Sequence, residues 1–299
     1  MKNICFIIPF HYKWSTFANV RANYEYLQKL GYKVDLFNKN QNPSIDFPQY
    51  DLVMLHGSGS FLSDEQYREC LKYKVPIWGF GWSDPNLFNE NHYEQSTMYF
   101  SNDLNLANRF GYKSNKLHWF YNTACDKRHH SNLNLPKETE VLVYGQGTHK
   151  FVTNRNEIVN NLREQGFKIK VFGRGWDKHP DTHGFIQGED LIKEINKTHL
   201  LLDLSNETTA WPHRIFESSA CGTPVLTIDR EDTRTMFKQK HEILLYSSFQ
   251  ELLFILSAYS VNKDMLKQIG LNAQTRCHKD HDISVRIQEL DKLIKEYVK

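Results

Sequence analysis

Short apolar runs alternate with amphipathic stretches along the whole 299-residue chain. In the first half ICFIIP, KVDLFN, YDLVMLH and VPIWGFGW read as strands. Between them, TFANVRANYEYLQKLG has helical periodicity and stops on Gly31, a residue suited to a helix end. YFSNDLNLANRFGY and KLHWFYNTACD continue the alternation, and the polar stretch KRHHSNLNLPKE at 127–138 interrupts it. The pattern then restarts with VLVYGQGT, a helix at NRNEIVNNLREQG, KIKVFGRGW, a helix at EDLIKEINKT, HLLLDLS, a helix around 213–220 and PVLTID. SVRIQELDKLIKEYVK closes the chain as an amphipathic helix with Val285, Leu290 and Leu293 among its apolar positions.

Strands alternating with helices predict an α/β fold built on parallel sheets. The restart predicts two Rossmann-like domains facing a central cleft, one of residues 1–130 and one of residues 136–284, with a final helix at 285–299 packing back on the first. Composition agrees with an ordinary globular protein: 40% hydrophobic and 24% charged residues. A net charge of +2 supplies no field that argues for nucleic acid. Five cysteines without a CxxC pair read as reduced thiols, and no stretch reaches the eighteen apolar residues of a membrane span, so a cytoplasmic location is expected.

Glycine pairs close four predicted strands, in HGSGS, WGFGW, YGQGT and FGRGW. They serve either a close backbone approach to a ligand or tight turning. None extends to GxGxxG, and a GxxxxGK[ST] loop is missing, which excludes the usual dinucleotide and P-loop fingerprints.

The most specific segment is HRIFESSACGTPVLT at 213–227. Pro212 suits a first helical turn, whose free N–H groups favour an anion. Arg214 can add a charge-assisted bond to phosphate, and Glu217 can accept from both hydroxyls of a ribose. Ser218, Ser219, Ala220 and Gly222 keep the helix thin. The competing reading is an intrahelical Arg214–Glu217 pair over a packing face. In YGQGTHKFVTNR, Gly147, Thr148, Lys150 and Arg155 could hold phosphate oxygens, and Arg174 in FGRGW is a further candidate. His56 and Asp84 end first-domain strands; they read either as catalytic groups toward sugar and acceptor or as a strand-end cap and a turn residue. HPDTH and the Asp280–Asp282 triplet are weak metal signals, so no metal site is expected, and RHH at 128–130 reads as a solvated linker.

The pattern R-x-F-E-x-x-A-C-G-x-P-x-L-T resembles the donor-binding segment of GT-B glycosyltransferases, in particular the CgeB-type spore-maturation group. VFGRGW, TMFKQKHEILLYSSFQELLFIL and RCHKDHDISVRIQEL extend the likeness over about 140–299, and GFGWSDP and YNTACDKRHH carry a looser one in the first half. The resemblance implies a nucleotide-sugar co-substrate with no other cofactor, Glu217 on the donor ribose, Arg214 beside the diphosphate, and retention of anomeric configuration. One departure stands out: the broad retaining family has an acid eight positions before that Glu, where this chain has Thr209, with Glu207 two residues earlier. The acceptor is left open between a glycan, a small molecule and a modified nucleic-acid base. A nucleotide-sugar-binding protein without turnover is the rival of another class.

Overall fold

The computed structural model describes residues 1–8, 20–41, 43–57, 61–81, 90–101, 116–119, 125–148, 154–205 and 213–298. The chain divides into two compact units, one of residues 1–124 with 283–299 and one of residues 125–282.

In the first unit, strands β1 (Asn3–Ile8), β2 (Lys33–Asn38), β3 (Leu52–His56), β4 (Ile77–Phe80), β5 (Met98–Ser101) and β6 (Leu117–Trp119) form one sheet in the order β2-β1-β3-β4-β5-β6, every pairing parallel. A parallel sheet is covered on both faces, so its strands are apolar at successive positions rather than at alternate ones. In β1, Ile4, Phe6 and Ile8 point to one face, where Leu27 of helix α1 (Val20–Lys29) and Ile287, Leu290 and Ile294 of the closing helix α10 (Ile283–Tyr297) cover them. Cys5 and Ile7 point to the other, with Phe47, Leu62 and Cys70 of helix α2 (Asp64–Lys72). A hydrogen bond from the Tyr32 phenol to Asp291 Oδ1 (2.7 Å) fixes α10 on this face.

The second unit holds β7 (Thr139–Tyr144), α4 (Arg155–Glu164), β8 (Ile169–Phe172), β9 (Thr182–His183), α5 (Gly188–Asn196), β10 (Thr198–Asp203), α6 (His213–Ala220), β11 (Val225–Ile228), α7 (Glu231–Met236), β12 (Leu244–Tyr246), α8 (Phe249–Ser260) and α9 (Lys263–Asp280). Its strands run in the order β12-β11-β10-β7-β8-β9, again all parallel. The order reverses between β7 and β10, and the carboxyl ends of strands at such a reversal form a crevice for ligands. α6 packs on α9 with Ser218, Ser219 and Ala220 wholly buried, and a Cβ on Gly270 of α9 would lie 2.2 Å from the Gly222 carbonyl oxygen. The small residues are what let the two helices approach.

The apolar segment EILLYSSFQELLFILSAYSV forms β12 and α8, with the Ser248 side chain capping the helix at Glu251 N. One expectation changes here. The chain passes to the second unit at residue 125, not within 130–138, because residues 125–133 dock on that unit. Cys125 bridges Asp282, Lys127 N donates to Asp282 Oδ2 (2.8 Å), and Leu133 N donates to Asn196 Oδ1 (2.7 Å). The expected solvated linker is thus partly interior: His130 is 1% exposed. All five cysteines are free and buried. Among the described residues no helix is long and apolar enough to cross a membrane, and no group of three or more His, Cys, Asp or Glu could hold a metal ion.

His92, on α3 (Glu90–Gln95), is fully buried with its Nε2 3.1 Å from the Leu55 carbonyl oxygen, and burial pushes its pKa down from 6.5 to about 4. The unfolded chain therefore takes up this proton first. The stabilisation is present above pH 6.5 and lost as the pH falls toward about 4, a loss on the order of 3 kcal/mol. A His92→Gln variant should show a flatter fall of melting temperature over that window than the wild type. Equal slopes in the two proteins would show that His92 does not drive the acid response.

Candidate functional site

Around the carboxyl ends of β7 and β10, six polar side chains of the second unit come together. Asp203, the last residue of β10, has no solvent exposure, and a charge there is costly unless it is paired. Thr227 Oγ1, from its register partner on β11, donates to Oδ2 (2.8 Å), and Ser205 Oγ donates to Oδ1 (2.8 Å). Arg214, in the first turn of α6, supplies the countercharge with Nε 2.6 Å from Asp203 Oδ1. Its Nη1 donates to the Tyr144 carbonyl at the end of β7 (3.0 Å). One turn further along α6, Glu217 is buried and accepts from the Tyr144 phenol at Oε2 (2.8 Å). In place of the intrahelical pair of the competing reading, Arg214 pairs across to β10 and Glu217 bonds to β7.

Two histidines border the carboxylate. His130 Nδ1 lies 3.0 Å from Asp126 N and 3.2 Å from the Asp126 carbonyl oxygen, and its Nε2 stands 4.0 Å from Glu217 Oε1. Burial pushes the His130 pKa down to about 4, so the ring is neutral at pH 7. His213 is lowered for the same reason, with Glu217 acting in the opposite direction. Burial also holds the Tyr144 phenol well above its ordinary pKa, reinforced by Glu217, so it remains a donor.

The other expected residues fall in four groups. Arg155 lies near this cluster, but its Nε and Nη1 donate to the carbonyls of Leu204 (2.7 Å) and Gln146 (2.6 Å), tying β10 to the loop after β7. Burial, then the neighbouring Arg214, lowers its pKa to about 10, which leaves it charged. Gly147, Thr148 and Arg174 belong to two interlocked loops. The Gly147 N–H expected for phosphate donates to the Arg174 carbonyl (2.9 Å), because the loops after β7 and β8 run against each other. Gly173, at φ +139°, has no room for a side chain: a Cβ would sit 1.8 Å from the Gly145 carbonyl oxygen, which also accepts from Trp176 Nε1 (2.8 Å). Thr148 is exposed, and the exposed Arg174 guanidinium stands 5.8 Å over the Phe185 ring. His56, in the first unit, ends β3 as expected of its sequence but is 3% exposed, between Phe6 (5.7 Å) and Phe80 (6.1 Å). Asp84 and Lys150, with Thr209, Glu207 and Pro212, lie outside the described residues.

Tyr144, Asp203 and His130 were not among the sequence candidates. Asp203 had a signal, a lone acid in the apolar run HLLLDLS, where an unpaired charge could not be buried. Tyr144 and His130 had none, since an aromatic before a glycine and a histidine in a polar stretch are both ordinary.

Removing one partner of a buried ion pair costs about 3–5 kcal/mol, while replacing both by apolar groups is often near neutral. Asp203→Asn should therefore lower the denaturation midpoint strongly, and Asp203→Leu with Arg214→Met should recover much of the loss. Urea unfolding of the three proteins checks this; a single variant as stable as the wild type would show that the pair carries no such constraint.

Residues 155–292 match the family described as glycosyl transferase-like. A search of curated protein sequences found no match. Solved structures similar to the chain include a sucrose-phosphate synthase from Thermosynechococcus elongatus, with a TM-score of 0.75, 12% identity and 99% of both chains covered. The Anabaena protein HepE in complex with UDP-glucose gives a TM-score of 0.70 and 12% identity, covering 99% of this chain and 100% of that one. A glycosyltransferase from Rickettsia africae gives 0.72 and 11%, covering 100% and 99%. At such identities the likeness concerns the fold: two Rossmann-like units with parallel sheets in the GT-B arrangement of elements. Residues 155–292, Arg214 and Glu217 among them, thus match the glycosyl transferase-like family, and the fold is that of the GT-B glycosyltransferase structures.

Proposed function

We infer that the chain transfers a sugar from a nucleotide-sugar donor to an acceptor, with the donor's nucleotide held at the carboxyl ends of β7 and β10. The observation that carries this reading is the placement of Arg214 and Glu217 one turn apart at the start of α6, beside the reversal point of a parallel sheet, within the glycosyl transferase-like domain. The complexes of HepE with UDP-glucose and with UDP support a donor of the same chemical class.

In this reading the N–H groups of the first turn of α6 and the guanidinium of Arg214 meet the diphosphate. Asp203 and the Tyr144 carbonyl hold that guanidinium by Nε and Nη1, and Nη2 is the edge proposed for phosphate. Glu217 accepts from the ribose hydroxyls, since an ionised carboxylate is an acceptor only. As the C–O bond to the leaving diphosphate breaks, negative charge develops there, and fixed donors stabilise it without reorganising. The transfer proceeds with retention and without an essential metal, and the acceptor is a glycan, a small molecule or a modified nucleic-acid base. Those three points rest on the family resemblance and on the residues at hand.

The testing experiment is a thermal-stability screen of the protein against UDP, GDP, ADP and CDP, followed by a transfer or donor-hydrolysis assay with the matching nucleotide sugar. Stabilisation with turnover is expected; stabilisation without any release of diphosphate would make the chain a binding protein. Glu217→Gln should weaken donor binding about tenfold and Glu217→Ala up to about a hundredfold, as expected for lost hydrogen bonds to a charged group. Both must keep a cooperative melt, and normal donor affinity in the Ala variant would make the carboxylate structural. Activity should survive EDTA; loss with recovery on adding Mg²⁺ or Mn²⁺ would reverse the metal-independent reading.

A further inference from the structure

Tyr144 touches both proposed ligand residues through two different groups. Its carbonyl accepts from Arg214 Nη1 (3.0 Å), and its phenol donates to Glu217 Oε2 (2.8 Å). The two partners are three residues apart on α6, on one helical face. The His130 Nε2 to Glu217 Oε1 separation, 4.0 Å, is beyond hydrogen-bond length, so the phenol is the shortest polar contact recorded for this carboxylate.

We propose that Tyr144 is a positioning residue for the donor ribose: its phenol holds the Glu217 carboxylate in the orientation that accepts the two vicinal hydroxyls, while its carbonyl independently sets Arg214. This rests on the donor reading given above. The terminal torsion of a glutamate is broad and nearly two-fold, so an untethered carboxylate would have to be ordered when ligand arrives. A hydrogen bond to Oε2 removes that freedom and leaves Oε1 for the diol. The phenol remains a donor at neutral pH because burial disfavours its ionised form. The carbonyl contact is made by the backbone and survives any side-chain change at this position.

Splitting these two contacts gives the test. Affinities of the wild type, Tyr144→Phe, Glu217→Gln and the double variant are measured by calorimetry for the nucleoside diphosphate selected in the stability screen, for its 2′,3′-dideoxy analogue, and for the nucleoside. In Tyr144→Phe the preference for the diphosphate over its dideoxy analogue should fall about tenfold, with the preference for diphosphate over nucleoside unchanged. In the Glu217→Gln background the Phe substitution should have no further effect. Tyr144→His keeps a ring donor and should retain part of the diol preference, which provides the measurement if the Phe variant does not fold. A wild-type diol preference in both Tyr144 variants overturns the proposal, as does an equal loss for all three ligands. Absence of any diol preference in the wild type would instead remove the donor reading on which it stands.

Discussion

A carboxylate without solvent exposure at the end of a central strand must be satisfied on every side, and Asp203 organises the second unit's carboxyl edge through that requirement. Thr227 reaches it from β11, Ser205 from two residues further along the chain, and Arg214 from the start of α6. Each contact joins a different element to β10. Arg214 then extends the network to β7 through the Tyr144 carbonyl, and Tyr144 passes it to Glu217. The orientation of the first turn of α6 is thus a consequence of neutralising one buried charge.

Backbone approach is the second constraint on this edge. The glycines of YGQG and FGRG do not stand open as a phosphate cradle; they let the loops after β7 and β8 interlock. A Cβ on Gly173 would lie 1.8 Å from the Gly145 carbonyl oxygen, and a Cβ on Gly147 would meet the Gly175 carbonyl at 2.5 Å. Arg155 reinforces the same edge from α4 by binding two carbonyls. Small residues do the equivalent work behind α6, where Gly270 permits contact with α9. A rigid edge of this kind suits a site that must hold donors in place before charge develops.

The division into units follows local chemistry too. The Cys125–Asp282 bridge brings together the two points at which the chain enters and leaves the second unit. Asp282, fully buried, is satisfied there by Lys127 N. The DHD triplet that resembles a metal motif therefore has structural work: Asp282 closes this junction, and Asp280 pairs with Arg276 within α9 (2.8 Å).

Strand and helix order, the two-unit pattern and the small-residue helix 213–220 were legible in the sequence because each depends on local periodicity or on residue size, which neighbours in the chain reveal. Arg214 and Glu217 were legible as a pair of polar residues on a helix face, since their spacing alone puts them one turn apart. Their partners were not. Whether Arg214 faces Glu217, a phosphate or Asp203 depends on which strand lies beside α6, and that is set by a crossover between elements distant in the chain. The same holds for His130, whose polar surroundings in sequence suggested solvent, and for the glycine pairs, whose purpose appears only when two loops meet. Sequence determined what each segment could form and which groups needed partners; tertiary structure decided the partners, because burial and pairing are properties of the assembled sheet edge rather than of any one segment.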